Sequence, residues 1–411
     1  MDKVTILSTT DVHGFLTAAA NGENGLCSLP AIAEKYHEPI LIDNGDFLVG
    51  SPETTFFNTT MAISPLIELA NTIGFDVMVP GNHDFDYGID FLKRQVAAFN
   101  GQYLCANVLD LADELIFEPY TIIERGELKV GVIGVITGAM PQITDYDQIK
   151  DLKFINVLES LNRWVPLVRE QVDVLIVSYH GGIERDMDTG QPTQYDTGED
   201  QTYRIISEIV GIDGVVCGHQ HRINAGIVNN TAFVQPGYRG NYIGELTFSI
   251  QENQVTDKKA QLISTEKVAP ASYSLYDQSD YKKWLEKKLD LSCFPQYLAK
   301  KVPGTFYAVN VKGTTIGSFL SSFRPPYTLS TYHVSQSELK ELLLRQPIEG
   351  LTIVNGQLIP DQSSYRVTTN EPIFPSYRLE TNYIYNLFDE YIAWINMNQY
   401  RNEVKQDEAT T

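Results

Sequence analysis

The chain is 411 residues long and carries 52 Asp and Glu against 31 Lys and Arg, a net charge of −21. That length accommodates two or three domains, and the hydrophobic content is enough for more than one core, which excludes disorder and fibrous repeats. So acidic a surface repels phosphate backbones, so duplex nucleic acid is excluded as a partner, and a phosphorylated ligand needs a locally positive site such as metal ions.

The opening residues Met1-Asp2-Lys3-Val4 run directly into a strand-like segment, without the basic and apolar regions of a signal peptide. The longest apolar runs, at 130–136 and 174–177, fall far short of the roughly 20 residues that span a bilayer. A cytoplasmic protein is expected, with no membrane attachment and no obligate protein partner. Cys27, Cys105, Cys217 and Cys293 lie far apart with no Cys-x-x-Cys, so they are expected as reduced, mostly buried thiols.

Taken in order, short β-branched runs alternate with helical stretches from residue 4 to about 234, which implies a layered α/β domain. Strands are expected at 4–7, 40–42, 77–79, 103–105, 129–136, 174–177, 215–217 and 232–234. Helices are expected near 29–36, 62–73, 89–99, 157–170 and 203–210. Residues 242–250 alternate apolar and polar like an edge strand, with 261–265 as a partner. The first domain is expected to span 1–265. A charged amphipathic helix within 266–290 reads as a linker, and 291–411 reads as a smaller α+β domain. In it, strands are expected at 306–311, 351–354, 357–359 and 365–369, and a helix at 338–344.

Five of the seven histidines fall in four short polar motifs that follow expected strands: Asp11-Val12-His13-Gly14, Gly81-Asn82-His83-Asp84-Phe85-Asp86, His180-Gly181-Gly182 and Gly218-His219-Gln220-His221. A further motif, Gly45-Asp46, also follows a strand. Residues just past the carboxyl ends of strands converge on one edge of an α/β sheet. Asp11 and His13 are two apart, which on extended backbone aims both side chains to one face, and His219 with His221 repeats the spacing. Imidazole, carboxylate and amide oxygen without thiolate suit Mn²⁺, Fe or Zn²⁺. The set Asp11, His13, Asp46, Asn82, His180, His219 and His221 is too large for one ion, so two divalent ions sharing one carboxylate are expected. Such a pair clamps the attacking and leaving oxygens of an in-line phosphoryl displacement and acidifies a bridging water toward hydroxide.

In this order the motifs resemble the calcineurin-like metallophosphoesterases. Ser8-Thr9-Thr10-Asp11-Val12-His13-Gly14, Gly81-Asn82-His83-Asp84-Phe85-Asp86-Tyr87-Gly88 and Cys105-Ala106-Asn107-Val108 resemble the 5′-nucleotidase and 2′,3′-cyclic-nucleotide 2′-phosphodiesterase branch. The resemblance implies an α/β-β-α sandwich followed by a substrate domain. By position it implies one ion on Asp11, His13 and His221, the other on Asn82, His180 and His219, and Asp46 bridging. His83 would face the substrate as a catalytic residue, oriented and kept protonated by Asp86. It implies hydrolysis of a small-molecule nucleotide phosphoester. A non-nucleotide phosphoester or a sulfur ester, and an inactive metal-binding module, stand as alternatives.

For substrate binding, the resemblance puts Asn107 at the site and an arginine at Ser322-Phe323-Arg324. The family's Gly-Gly-Asp-Gly-Phe loop is absent, and Glu371-Pro372-Ile373-Phe374-Pro375-Ser376-Tyr377-Arg378 stands in its place. Phe374, Tyr377 and Arg378 are candidates there for a ring face and a positive group.

Overall fold

The structure, a computed structural model, describes residues 2–16, 25–144, 146–252, 254–292, 294–301, 306–311, 313–322, 329–344, 351–355, 364–369 and 379–383. The chain divides into two units, residues 1–49 with 61–275, and residues 50–60 with 276–411.

In the first unit the β-branched runs form two six-stranded sheets. One is built from β1 (Asp2–Thr9), β2 (Ile40–Asp43), β3 (Val77–Met78), β4 (Gln102–Tyr103), β13 (Tyr242–Gln251) and β14 (Gln254–Ser264), in the order β14-β13-β1-β2-β3-β4. The other is built from β6 (Tyr120–Arg125), β7 (Leu128–Ile136), β9 (Val174–His180), β10 (Gly214–Cys217), β11 (Ile223–Val228) and β12 (Thr231–Pro236), in the order β11-β12-β10-β9-β7-β6. Two short strands, β5 (Val108–Asp110) and β8 (Leu152–Phe154), pair antiparallel beside them.

Alternation along each strand makes the layers. Val4, Ile6, Ile40 and Ile42 of the first sheet share one buried cluster with Val130, Val132, Val174 and Ile176 of the second. The intervening residues of the second sheet, Leu175, Val177 and Val215, pack instead against helices. One of these is α7 (Val157–Arg169), whose Val157, Leu161, Val165 and Val168 recur at helical spacing on the buried face. Asn156 starts it by accepting from the backbone of Leu158 and Glu159. The other is α8 (Thr202–Glu208), through Ile205 and Ile206. Shorter helices connect the strands: α1 (Leu29–Ala33), α3 (Pro65–Ile73), α4 (Ile89–Ala97), α5 (Met140–Ile143) and α6 (Tyr146–Ile149). Capping by Ser64, Pro65 at the first turn and Gly74 at φ 85° confine α3 to nine residues.

Two expectations change. The 242–250 strand is not an edge: β13 pairs with β1, from Asp2 with Ile250 to Ser8 with Gly244, and β14 is the outer strand. The charged helix expected to link domains is α9 (Gln278–Leu285), and it packs inside the second unit. There it meets α2 (Pro52–Thr60), a helix not expected from the sequence, whose Phe56 ring lies 5.4 Å from both Tyr281 and Trp284. Burial of that aromatic face is why α9 belongs to a core and not to a tether. The described part of the second unit also holds a five-stranded sheet of β15 (Phe306–Val311), β16 (Leu329–Ser335), β17 (Leu351–Asn355), β18 (Ser364–Thr369) and β19 (Leu379–Tyr383), in the order β17-β15-β18-β16-β19. Helices α10 (Phe294–Lys301), α11 (Ile316–Leu320) and α12 (Gln336–Leu344) accompany it. The strand expected at 357–359 lies outside the described residues, as do Cys293, Arg324, Phe374, Tyr377 and Arg378. Among the described residues no helix is long and apolar enough to cross a membrane.

Candidate metal centre

Parallel strands β1, β2 and β3 of one sheet, and β9 and β10 of the other, end at the same edge of the sandwich. His180 is the last residue of β9, and the other motifs follow the strand ends directly. The backbone there is not extended, as the two-residue spacing suggested. Asp11, His13, Asp46, His219 and His221 all have positive φ, between 50° and 68°. Left-handed backbone is costly for such residues and persists only where the surroundings over-determine it. Repeated two residues apart, it brings Asp11 and His13 together and sends His221 to them and His219 to Asn82.

The neighbouring glycines permit the crowding. A Cβ at Gly81 would overlap the Asp46 carboxylate, and one at Gly218 would overlap the Thr10 hydroxyl. Asp84 supplies the over-determination for the second loop. Its carboxylate accepts from the N–H groups of Asp46, Phe47, Leu48 and Gly81 at 2.8–3.2 Å, which ties the Gly45-Asp46 loop to the Gly81-Asn82 loop. Asp43 holds the Gly45 N–H in the same way. Both acids therefore serve loop hydrogen bonding.

Seven side chains converge in two groups. In the first, the Nε2 atoms of His13 and His221 lie 3.1 Å apart, and Asp11 Oδ1 lies 3.4 Å from His221 Nε2. In the second, Asn82 Oδ1 lies 3.2 Å from His180 Nε2 and 2.8 Å from His219 Nδ1. Asp46 stands between them, its Oδ2 3.5 Å from His180 Nε2 and 3.9 Å from His13 Nε2. His13 and His180 each place Nδ1 2.7 Å from a backbone carbonyl, of Val49 and Asn44 respectively. A carbonyl only accepts, so Nδ1 carries a proton; in the neutral ring Nε2 presents its lone pair, although despite burial the charges of Asp46 and Asp11 push the His180 pKa up to about 9.

These residues fit a pair of cations. Asp11 Oδ2 accepts from the Thr10 hydroxyl and the His219 N–H, whereas Oδ1 is buried with no hydrogen-bond partner. A bare buried carboxylate oxygen beside two facing imidazole nitrogens lacks a positive charge. Asp11, His13 and His221, and likewise Asp11, Asp46 and His180, present ligand atoms within 4.8 Å of one another. Neighbouring imidazolium charge lowers the carboxylates of the centre. Burial alone would raise Asp11, but His221 brings it down to about 2, and burial holds His13 down at about 4. Asp46 lies well below the carboxylate range, because His180 and His83 outweigh its burial.

His83 sits beside the groups. Its N–H donates to Asp46 Oδ1 at 2.8 Å, and its ring lies 5.7 Å from that of His13. Its Nδ1 is 2.9 Å from Asp86 Oδ2, and despite burial the charges of Asp86 and Asp46 push its pKa up to about 10. The Asp86 pairing leaves Nε2 as the atom available to a ligand.

Asn107 is committed to the scaffold next to the strand neighbour of His180. It is fully buried, its amide N–H groups donate to the carbonyls of Ile136 and Ile155, and its oxygen accepts from the Ile136 N–H. Every strong hydrogen bond it offers is spent locking β5 to the end of β7, which leaves nothing for a substrate.

Sequence reasoning missed three participants. Tyr238 stacks on His221 with ring centroids 4.8 Å apart and planes 1° from parallel. Asn44 joins the sheets, its amide donating to Ser178 Oγ at 2.7 Å. Glu199 Oε1 lies 2.7 Å from His219 Nε2. Only Asn44, next to Gly45-Asp46, carried a positional signal.

The family model for the calcineurin-like phosphoesterases matches residues 4–222, the stretch from β1 to the last of these histidines. The chain belongs to the calcineurin-like phosphoesterase family. A 2′,3′-cyclic-nucleotide 2′-phosphodiesterase/3′-nucleotidase of Yersinia enterocolitica is 27% identical over 302 residues, covering 62% of this chain and 45% of its own. The trifunctional nucleotide phosphoesterase protein YfkN of Bacillus subtilis is 26% identical over 310 residues, 64% of this chain and 21% of its own. The chain thus aligns with less than half the length of these curated relatives. A provisionally named 5′-nucleotidase from Staphylococcus aureus, solved with alpha-ketoglutarate, superposes with a TM-score of 0.69 over 95% of this chain and 97% of its own, at 22% identity. At that identity the likeness establishes the fold: the α/β phosphoesterase domain followed by a second domain. Members of this family use divalent metals, and the clusters Asp11, His13, His221 and Asp11, Asp46, His180 are candidate metal-binding residues in this calcineurin-like phosphoesterase.

Proposed function

We propose that this protein is a two-metal phosphoesterase that hydrolyses nucleotide phosphoesters, as a 5′-nucleotidase, a 2′,3′-cyclic-nucleotide 2′-phosphodiesterase, or both. The observation that carries the reading is the pair of ligand groups sharing Asp46, with the His83–Asp86 dyad beside them. One group is Asp11, His13 and His221, the other Asn82, His180 and His219. Divalent cations held there supply Lewis acidity to the phosphoryl oxygens and to the attacking water. The all-nitrogen-and-oxygen donor set suits Mn²⁺, Zn²⁺ or Fe.

The chain's own residues do the rest. Asp46 fixes the spacing of the two groups. The carbonyls of Val49 and Asn44 keep the His13 and His180 lone pairs aimed inward. His83, held protonated by Asp86, gives Nε2–H to a phosphoryl oxygen or to the departing ester oxygen, where negative charge develops. Nucleotide specificity is supported by the names of the relatives. Contacts from Arg324, Phe374, Tyr377 and Arg378 belong to the same proposal. So does a cytoplasmic setting, with Cys27, Cys105 and Cys217 free and buried.

The test is phosphate release by metal-stripped protein reloaded with Mn²⁺, across 5′-nucleoside monophosphates, 2′,3′-cyclic nucleotides, sugar phosphates and an aryl phosphate. Turnover of the nucleotides above the sugar phosphates is expected. A panel left wholly untouched overturns the reading, and equal turnover of sugar phosphates overturns its nucleotide part.

A further inference from the structure

The four histidines of the two ligand groups are not held alike. His13 and His180 turn Nε2 inward because a backbone carbonyl takes Nδ1. His219 is reversed: Nδ1 faces Asn82 Oδ1 at 2.8 Å, and Nε2 lies 2.7 Å from Glu199 Oε1. Among the ring contacts described here, only this histidine of the second group is backed by a carboxylate.

The two groups also differ in charge. The first owns the Asp11 carboxylate. The second owns only neutral donors, Asn82, His180 and His219, and shares the charge of Asp46. Glu199 adds a negative charge one imidazole away. Its backbone is fastened to the strand ends, for its carbonyl accepts from Tyr179 Oη at 2.8 Å and Thr137 Oγ1 at 2.6 Å. The next residue, Asp200, accepts from Gly182 N and Gln220 Nε2, both at 2.7 Å. Gly182 belongs to the loop that begins at His180, and Gln220 separates His219 from His221. The Glu199-Asp200 dipeptide is thus bonded to both loops that supply the second group's histidines.

We propose that Glu199 is a positioning residue for the second metal ion: it fixes His219 as the Nε2–H tautomer, aims the Nδ1 lone pair at the ion, and strengthens that lone pair with its charge. Neutral imidazole has one proton for two nitrogens, so a fixed acceptor at Nε2 leaves Nδ1 free to coordinate. The carboxylate also compensates for a group that has no acid of its own. The inference rests on the two-metal reading above and deepens it.

The experiment is Co²⁺ titration of metal-stripped protein, followed by visible absorption and metal analysis, on the unsubstituted chain, Glu199→Gln and Glu199→Ala. Two equivalents are expected for the unsubstituted chain. In Glu199→Ala one equivalent stays tight and the affinity for the other falls by about 10–100-fold. Glu199→Gln falls between them, because its amide oxygen still accepts from Nε2–H but carries no charge. Equal affinity for both ions in all three proteins overturns the inference and leaves the two-metal reading standing. Fewer than two equivalents in the unsubstituted chain overturns the two-metal reading itself. A melting temperature for each variant identifies any that is misfolded. Should Glu199→Ala misfold, Glu199→Gln decides, with a weakening of at least about threefold expected and unchanged affinity overturning the proposal.

Discussion

The two ligand groups have the same number of side chains and reach their geometry by opposite means. The Asp11, His13 and His221 group has its own carboxylate, but the His221 side chain is 30% exposed and rests on a stacked tyrosine. The Asn82, His180 and His219 group has no acid of its own. His180 is wholly buried with its ring fixed by a carbonyl, and His219 is backed by Glu199. One group carries its own charge and has one part-exposed ligand, His221, while the other is neutral and has both imidazoles fixed from behind. Charge and preorganisation are two different routes to holding a cation, and Asp46 stands between the groups that use them.

Removing that member is the largest perturbation. Asp46→Asn should cost both ions, with metal content falling from two toward none and turnover by more than about 100-fold, since changes behind the ligands alone cost about 10–100-fold. Two ions retained in that variant would show that the groups are independent. Next comes His83→Asn, at a residue that belongs to neither group. Metal content should stay at two while kcat drops about 10²–10⁴-fold, the contribution of a positioned acid. Loss of an ion there would move His83 into the coordination set.

Asp86→Asn separates charge from geometry at the dyad. Asp86 and Asp46 together raise His83, so its protonated form is present at neutral pH and is lost as pH rises through the raised value. With Asp86 neutral, the alkaline limb of the pH profile should move down by about 1–3 units, and activity well below it should change little. Bound cations lower the limb in both proteins, so the difference between their profiles is the quantity to read. The smallest effect is expected from Tyr238→Leu. Affinity for one ion should fall about 2–10-fold, the contribution of a ring pair, and the other should be unmoved. Equal weakening of both would erase the contrast between open and rigid groups.

Much of this was legible because the fold concentrates its chemistry at strand ends. The β-branched runs at 40–42, 174–177 and 215–217 grow by only one to three residues in the structure, and the motifs follow them directly. What the pattern could not carry was backbone handedness. Asp11 and His13 read as extended because alternation is the ordinary meaning of a two-residue spacing, and only packing against Gly45, Gly81 and Gly218 reveals the left-handed turn. Strands β6 and β11 were missed because they lie at sheet edges, half exposed, where the apolar signal is weak. Glu199 was invisible for another reason. It lies twenty residues before His219 in a polar stretch without periodicity, and its role arises from a tertiary contact alone. Asn107 shows the converse, since a motif resemblance placed at the site a side chain whose hydrogen bonds are all committed to the scaffold.

The central place of β1 sets the order in which the protein can be completed during synthesis. Its two neighbours are β2, about thirty residues on, and β13, whose Ile250 pairs with Asp2. One side of β1 therefore stays unpaired until the ribosome has released nearly the whole unit, and an open strand edge is a template for wrong partners. His13 likewise waits for His221, 208 residues later. On the two-metal reading, a nascent chain has no complete cage to offer an ion until that late segment emerges, so metal capture would report that the sandwich has closed.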